Sequence, residues 1–265
     1  MLQAIRRALM PVAAMACAAG AATADFARED RWAQEVVPQV VVGDVVWLAT
    51  PERARVLALH TMPSGPSRGA VIVVHGLGVH PDWNLIGALR TSLADRGFET
   101  LSVQMPVLPA DAPSSAYREL FPAAASRLAA SVRWLKEHGA TRVAIVSHSL
   151  GAAMAGAALA QPGFPAVDAW VPVGMQVAFD APPRFPVEDV VAESDFPDAR
   201  AGAIERKPTL PKDGCSGDVV VPGTDHFFGN AGGRLSDTVA DFLTRVFDGR
   251  CGASGSPSPL PSSGK

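Results

Sequence analysis

Apolar runs alternate with helix-patterned stretches from residue 44 to residue 248 of this chain, the order expected of a largely parallel sheet covered by helices. Residues 45–49 and 55–61 read as two opening strands, a hairpin turned around Pro51-Glu52. The continuous β-branched run at 70–74 has the character of a central strand buried on both faces. Asp82 is placed to cap a helix in which Leu85, Ile86, Leu89 and Leu93 keep helical spacing until Gly97. A strand is expected over 100–105, a proline-rich loop over 106–113, and one long helix over 116–138 with Leu128, Val132 and Leu135 inward. Then follow a strand at 142–146, a helix from Gly151 to Ala160 and a strand at 169–173. The dozen residues from Gly174 to Phe185 are too few for a helical lid domain. Strands at 187–192 and 218–221 and a helix over 235–247, apolar at Val239, Phe242, Leu243 and Val246, complete an α/β pattern of about eight strands.

The termini differ from this pattern. Arg6-Arg7, a short alanine-rich apolar stretch over 8–22 and Ala22-Thr23-Ala24 have the order of a signal peptide with an Ala-x-Ala cleavage site. Export to the periplasm or the cell exterior is expected, with residues 1–24 as leader and 25–250 as the folded domain. A membrane anchor fits less well, because the stretch is short and carries Pro11. No later segment is apolar enough to span a bilayer. Residues 251–265 are rich in Ser, Pro and Gly and read as a disordered tail.

Loss of Arg6 and Arg7 with the leader takes the 23 basic residues to 21 against 26 acidic ones, a formal charge of −5, which argues against a nucleic-acid partner. Cys17 leaves with the leader. Cys215 and Cys251 remain, and an oxidising compartment favours a disulfide between them over two independent thiols. Two cysteines without a nearby histidine pair do not make a four-ligand zinc site. Neither a metal nor an organic cofactor is expected.

The chemistry centres on Ser147-His148-Ser149-Leu150-Gly151, between the apolar strand ending at Val146 and an alanine-rich helix. A serine hydroxyl becomes a useful nucleophile when it is exposed on a sharp turn, near a base and near oxyanion donors. Small residues two positions to either side let such a turn pass closely, here Ser147 and Gly151. The match to G-x-S-x-G is imperfect, since Ser147 replaces the first glycine. His226 is the only one of six histidines beyond position 148 and follows the last strand, in Gly223-Thr224-Asp225-His226-Phe227-Phe228. An imidazole there can take the serine proton and return it. The acid that orients it should follow the penultimate strand. Asp195 fits best; Asp198 and Glu193 remain alternatives, while Asp189 falls within the strand itself.

In this arrangement Ser-His-Ser-Leu-Gly resembles the nucleophile elbow of the α/β-hydrolase superfamily, and Ser149 rather than Ser147 aligns with its nucleophile. His75-Gly76-Leu77-Gly78 follows the strand where that superfamily places its oxyanion loop. The resemblance implies the N–H groups of Leu77 and Leu150 as donors, with His75 anchoring the loop. Together with His-Pro-Asp-Trp, Leu-Ser-Val-Gln-Met-Pro and Gly-Thr-Asp-His-Phe-Phe, these segments are similar to a little-characterised family of exported bacterial α/β-hydrolase-like proteins, over roughly residues 30–250. What the resemblance implies is an α/β-hydrolase fold without a large lid and a serine carboxylesterase acting on a small-molecule ester. A thioesterase or amidase using the same triad, and a non-catalytic binding protein on the same fold, are the alternatives. His80, Asp82 and Trp83 are expected to serve as cap and aromatic packing, and His148 as a packed neighbour of the nucleophile.

Overall fold

Residues 23–252 are described by a computed structural model of the protein. The leader, save its last two residues, and the tail beyond Gly252 lie outside the described residues. Eight strands form one sheet in the order β1-β2-β4-β3-β5-β6-β7-β8. The hairpin β1 (Asp44–Leu48) and β2 (Val56–Thr61) is antiparallel, turned by reciprocal Thr50 and Arg53 backbone hydrogen bonds. β2 is also antiparallel to β4 (Glu99–Val103). From β4 through β3 (Ala70–Val74), β5 (Val143–His148), β6 (Ala169–Val173), β7 (Glu188–Ser194) and β8 (Gly217–Asp225), the pairing is parallel.

Strand alternation splits the core into two layers. Ile72 and Val74 of β3 face Leu128 and Val132 of α3 (Phe121–Glu137) and Met154 of α4 (Leu150–Leu159). Val71 and Val73 face Leu89 and Leu93 of α2 (Asn84–Asp95) and Leu243 of α6 (Gly232–Phe247). Every residue of β3 is buried, so the run at 70–74 carries no polar face.

The helices depart from the pattern in four places. Asp82 does not cap α2, whose N-cap is Trp83; the Asp82 carboxylate instead accepts from Arg90 Nε at 2.7 Å. Residues 114–120 form a 3₁₀ turn rather than the start of α3. The α-helix proper begins with Pro122 in its first turn, where a residue without an N–H costs nothing. Two further helices, α1 (Phe26–Val36) and α5 (Pro197–Arg206), carry few large apolar residues: α1 buries only Glu29, Ala33 and Val36, and α5 only Ala199, Gly202, Ala203 and Arg206. The segment between β6 and β7 holds turns and no helix, so no lid domain rises from it. Cys215 and Cys251 are joined by a disulfide, which ties the approach to β8 to the end of α6. Among the described residues, no helix is long and apolar enough to cross a membrane.

Candidate active site

The carboxyl ends of β3, β5, β7 and β8 deliver His75, Ser149, Asp195 and His226 to one edge of the sheet, where open α/β sheets place their ligands. Ser149 has φ 55 and ψ −124, a conformation that costs a non-glycine residue free energy and turns β5 sharply into α4. Its backbone N–H donates to Val173 O at 2.8 Å, which fixes the turn to β6. One close approach requires glycine: a Cβ on Gly151 would fall 2.2 Å from His75 O, while one on Gly76 would be tight at 3.2 Å from Ser149 Cβ. At the position where the motif departs from glycine, Ser147 is fully buried and its Oγ accepts from Trp170 Nε1 at 2.8 Å. The hydroxyl therefore satisfies an indole N–H that would otherwise be stranded in the core.

His226 Nδ1 donates to Asp195 Oδ1 at 2.6 Å, and both residues are buried. Asp195 also accepts from Ala192 N at 3.0 Å and Phe196 N at 2.8 Å. Burial raises its pKa, but the His226 hydrogen bond and the two backbone donors outweigh burial, and the carboxyl ends below its ordinary range. None of the other candidate acids hydrogen-bonds His226. Glu193 accepts from Gly223 N, Asp198 lies exposed in the first turn of α5, and Asp189 forms a buried bidentate pair with Arg206 at 2.8 and 3.0 Å. Gly174, at φ 60, lies under the Asp195–His226 pair; a Cβ there would stand 2.9 Å from His226 Nδ1 and Cε1.

Leu77 and Leu150 line the same cavity as Ser149 and His226, about 410 Å³ in volume. Leu150 is the first residue of α4, where helix geometry leaves the N–H without an intrahelical acceptor and with the positive end of the helix dipole behind it. The loop that follows β3 is anchored by His75, whose Nε2 accepts from Met105 N at 2.8 Å while Nδ1 donates to Gly76 O at 2.9 Å. Complete burial holds its pKa down to about 3, so it stays neutral. From the N-terminal side, Arg28 of α1 donates to Gly78 O at 3.0 Å and Leu108 O at 2.7 Å, bracing the same loop.

Several residues take part beyond those read from the sequence. Trp83 lines the cavity, whereas Asp82 binds Arg90 and the His80 ring sits 5.8 Å from Trp32. His148 is buried and its Nε2 donates to the carbonyl of His226 at 2.9 Å, holding the loop that carries the imidazole. Burial, with the neighbouring His226, lowers its pKa to about 4. Arg206 Nη1 donates to Met175 O and Val177 O at 2.8 and 2.6 Å, so the ion pair with Asp189 pins the loop from which Gln176 and Val177 reach the cavity. Phe196 and Phe227 flank His226. Their sequence signal is adjacency to Asp195 and His226, which becomes meaningful only once the pair is located. Among the described residues, no group of three His, Cys, Asp or Glu side chains is placed to hold a metal ion.

A doubly covered, mostly parallel sheet with a strained serine turn and a buried His–Asp pair at its carboxyl edge defines an α/β-hydrolase architecture. The model of the alpha/beta hydrolase family matches residues 71–261, and the chain belongs to that family. A second family model, described as a protein of unknown function (DUF3530), matches residues 11–126. Comparison with curated proteins finds no match. Among solved structures, the chain is similar to a putative α/β hydrolase from Agrobacterium tumefaciens, with 18% identity and a TM-score of 0.60 over 82% of this chain and 100% of that one. It is likewise similar to an α/β serine hydrolase without lid from Xanthomonas campestris, with 16% identity and a TM-score of 0.62 over 78% and 95%. A dienelactone hydrolase from Anabaena variabilis gives 20% identity and a TM-score of 0.58 over 78% and 96%. These are likenesses of fold, and function rests on the site.

Proposed function

We propose that the protein is a serine hydrolase that cleaves carboxylic esters through an acyl-enzyme, with Ser149, His226 and Asp195 as its triad. The observation that carries this reading is the buried His226–Asp195 hydrogen bond on the same cavity as the strained Ser149 turn. Asp195 on Nδ1 fixes the imidazole tautomer that leaves Nε2 as the proton acceptor. In acylation, Ser149 Oγ bonds to the ester carbonyl carbon as its proton passes to His226, and the carbonyl oxygen takes negative charge facing the N–H groups of Leu77 and Leu150. The imidazolium returns that proton to the departing alkoxide as the carbon–oxygen bond breaks. Water, deprotonated by the same imidazole, then releases the acid and restores the serine.

A fluorophosphonate probe tests the reading. Wild-type protein is expected to label stoichiometrically and Ser149→Ala not at all. Folded wild-type protein that takes no label rejects the hydrolase in favour of a binding protein on the same fold. Rates on matched ester, thioester and amide substrates decide the bond cleaved.

Export belongs to the same proposal, supported by the Cys215–Cys251 disulfide, a bond that persists in oxidising compartments. Amino-terminal sequencing of the mature protein is expected to begin at Asp25.

A further inference from the structure

Four large apolar side chains stand exposed together around the cavity: Leu77, Val177 and Phe227 at 45% each and Phe196 at 43%. Apolar exposure grouped in this way marks a binding surface. Its aromatic half gathers on the histidine. Phe196 stacks on the His226 imidazole, with ring centres 4.2 Å apart and planes at 25°. Phe227 meets Phe196 edge-on at 6.0 Å and His226 edge-on at 5.4 Å, and Trp83 meets Phe227 at 6.3 Å and 69°. The loop presenting Phe227 is secured by its neighbour Phe228, which is buried in the core at φ 51. Around the serine the lining is aliphatic instead, with Leu77, Leu150, Ala153 and Val177. No Asp, Glu, Lys or Arg among the described residues lines the cavity.

Resting on the hydrolase reading, we propose that Trp83, Phe196 and Phe227 form the leaving-group subsite and select esters of neutral aromatic alcohols. The geometry of acyl transfer divides the cavity. The departing oxygen receives its proton from the imidazole, so the alcohol lies against the residues that surround His226, while the carbonyl oxygen points to the Leu77 and Leu150 N–H groups. Phe227 offers ring edge and face to a guest ring, the contact that aromatic pairs favour beyond simple burial. A cationic alcohol is disfavoured, although aromatic rings attract cations. Phe196 has already given one face to His226, and the imidazolium that forms during transfer repels a second positive charge beside it. An anionic alcohol meets no lysine or arginine among the described residues that line the cavity.

The test holds the acyl group constant and varies the alcohol, using benzyl acetate, n-propyl acetate and acetylcholine. Benzyl and propyl alcohols are close in acidity, so their kcat/KM ratio reads recognition rather than leaving-group reactivity. Wild-type protein is expected to favour the benzyl ester by at least tenfold, about the scale of one aromatic contact, with the added burial acting in the same direction. Phe227→Ser is expected to bring the ratio close to one, and Val220→Ser, on β8 outside the cavity, to leave it unchanged. Should Phe227→Ser fail to fold, Phe227→Leu keeps the apolar bulk without the ring and is expected to lower the ratio. A wild-type ratio near one, a ratio that survives both Phe227 variants, or a preference for acetylcholine overturns the subsite. Fluorophosphonate labelling separates this from the parent reading: protein that labels at Ser149 but lacks the benzyl preference rejects the subsite alone, whereas folded protein that does not label rejects both.

Discussion

The Trp170 indole N–H donates to Ser147 Oγ at 2.8 Å across the β5–β6 pair, at the position where the elbow motif ordinarily carries glycine. Ser147→Gly would therefore improve the match to the motif and weaken the protein. The indole N–H, buried between β6 and α4, would lose its only side-chain acceptor among the described residues, at a cost of about 1–3 kcal/mol. Urea denaturation checks this, and a variant as stable as wild type would show that the bond contributes nothing.

Gly174→Ala is expected to damage catalysis more than folding. A Cβ at this position comes within 2.9 Å of two His226 ring atoms and 3.3 Å of Asp195 Oδ2, and the φ of 60 adds about 1–2 kcal/mol of backbone strain. On the proposed triad, displacing the imidazole by about 1 Å would lower kcat by about a hundredfold, with KM much less changed. An unaltered kcat would mean that the pair tolerates displacement.

Glu188 gives the fold an unfavourable term at alkaline pH. Burial raises its pKa from 4.5 to about 7, opposed only in part by Arg245, whose Nη2 is 3.7 Å away. The folded state thus holds this proton more tightly than the unfolded state. Stability falls as pH rises from 4.5 through about 7 and stays lower above it. Glu188→Gln is expected to flatten this part of the pH profile and to gain on the order of 2 kcal/mol at pH 8. Thermal melts of both proteins between pH 4 and pH 9 would reveal the crossover, and parallel profiles would refute it. Asp195 has the opposite sign: its lowered pKa contributes stability above 3.8 that is lost as pH falls below that value.

Reduction of the Cys215–Cys251 disulfide releases a loop with a sequence separation of 36 that includes His226. The chain-entropy estimate for that length is about 4 kcal/mol. The doubly substituted Cys215→Ser, Cys251→Ser protein is expected to melt well below wild type, and wild type in reductant to approach it. Equal melting temperatures would count against the estimate.

The strands were legible in the sequence because a sheet covered on both sides demands continuous apolar runs, and 70–74, 143–146 and 169–173 have no other use for them. Strand order then made Asp195 and His226 readable as neighbours from their places after β7 and β8, which the hydrogen bond between them reproduces. Local polarity was less informative. Asp82 had the look of a helix cap, yet a long-range partner, Arg90, claimed its carboxylate. Helix α5 leaves little signal in the sequence because its buried face consists of Ala199, Gly202, Ala203 and Arg206 rather than a leucine stripe. The roles of His148 and Arg206 depend on carbonyl groups, which have no identity in a sequence. The departure at Ser147 looked like a defect of the motif until Trp170, more than twenty residues away, supplied its partner.

Phe227 and Phe228 are adjacent and chemically identical, yet one stands at the cavity mouth and the other is sealed in the core. With Phe227 in the proposed subsite, this places selectivity and folding in separate hands within a single turn. On that reading, substrate range is open to change by altering the outer ring while the inner one stays packed in the core, so a library varied at 227 and held constant at 228 would sample new specificities from a scaffold that still folds.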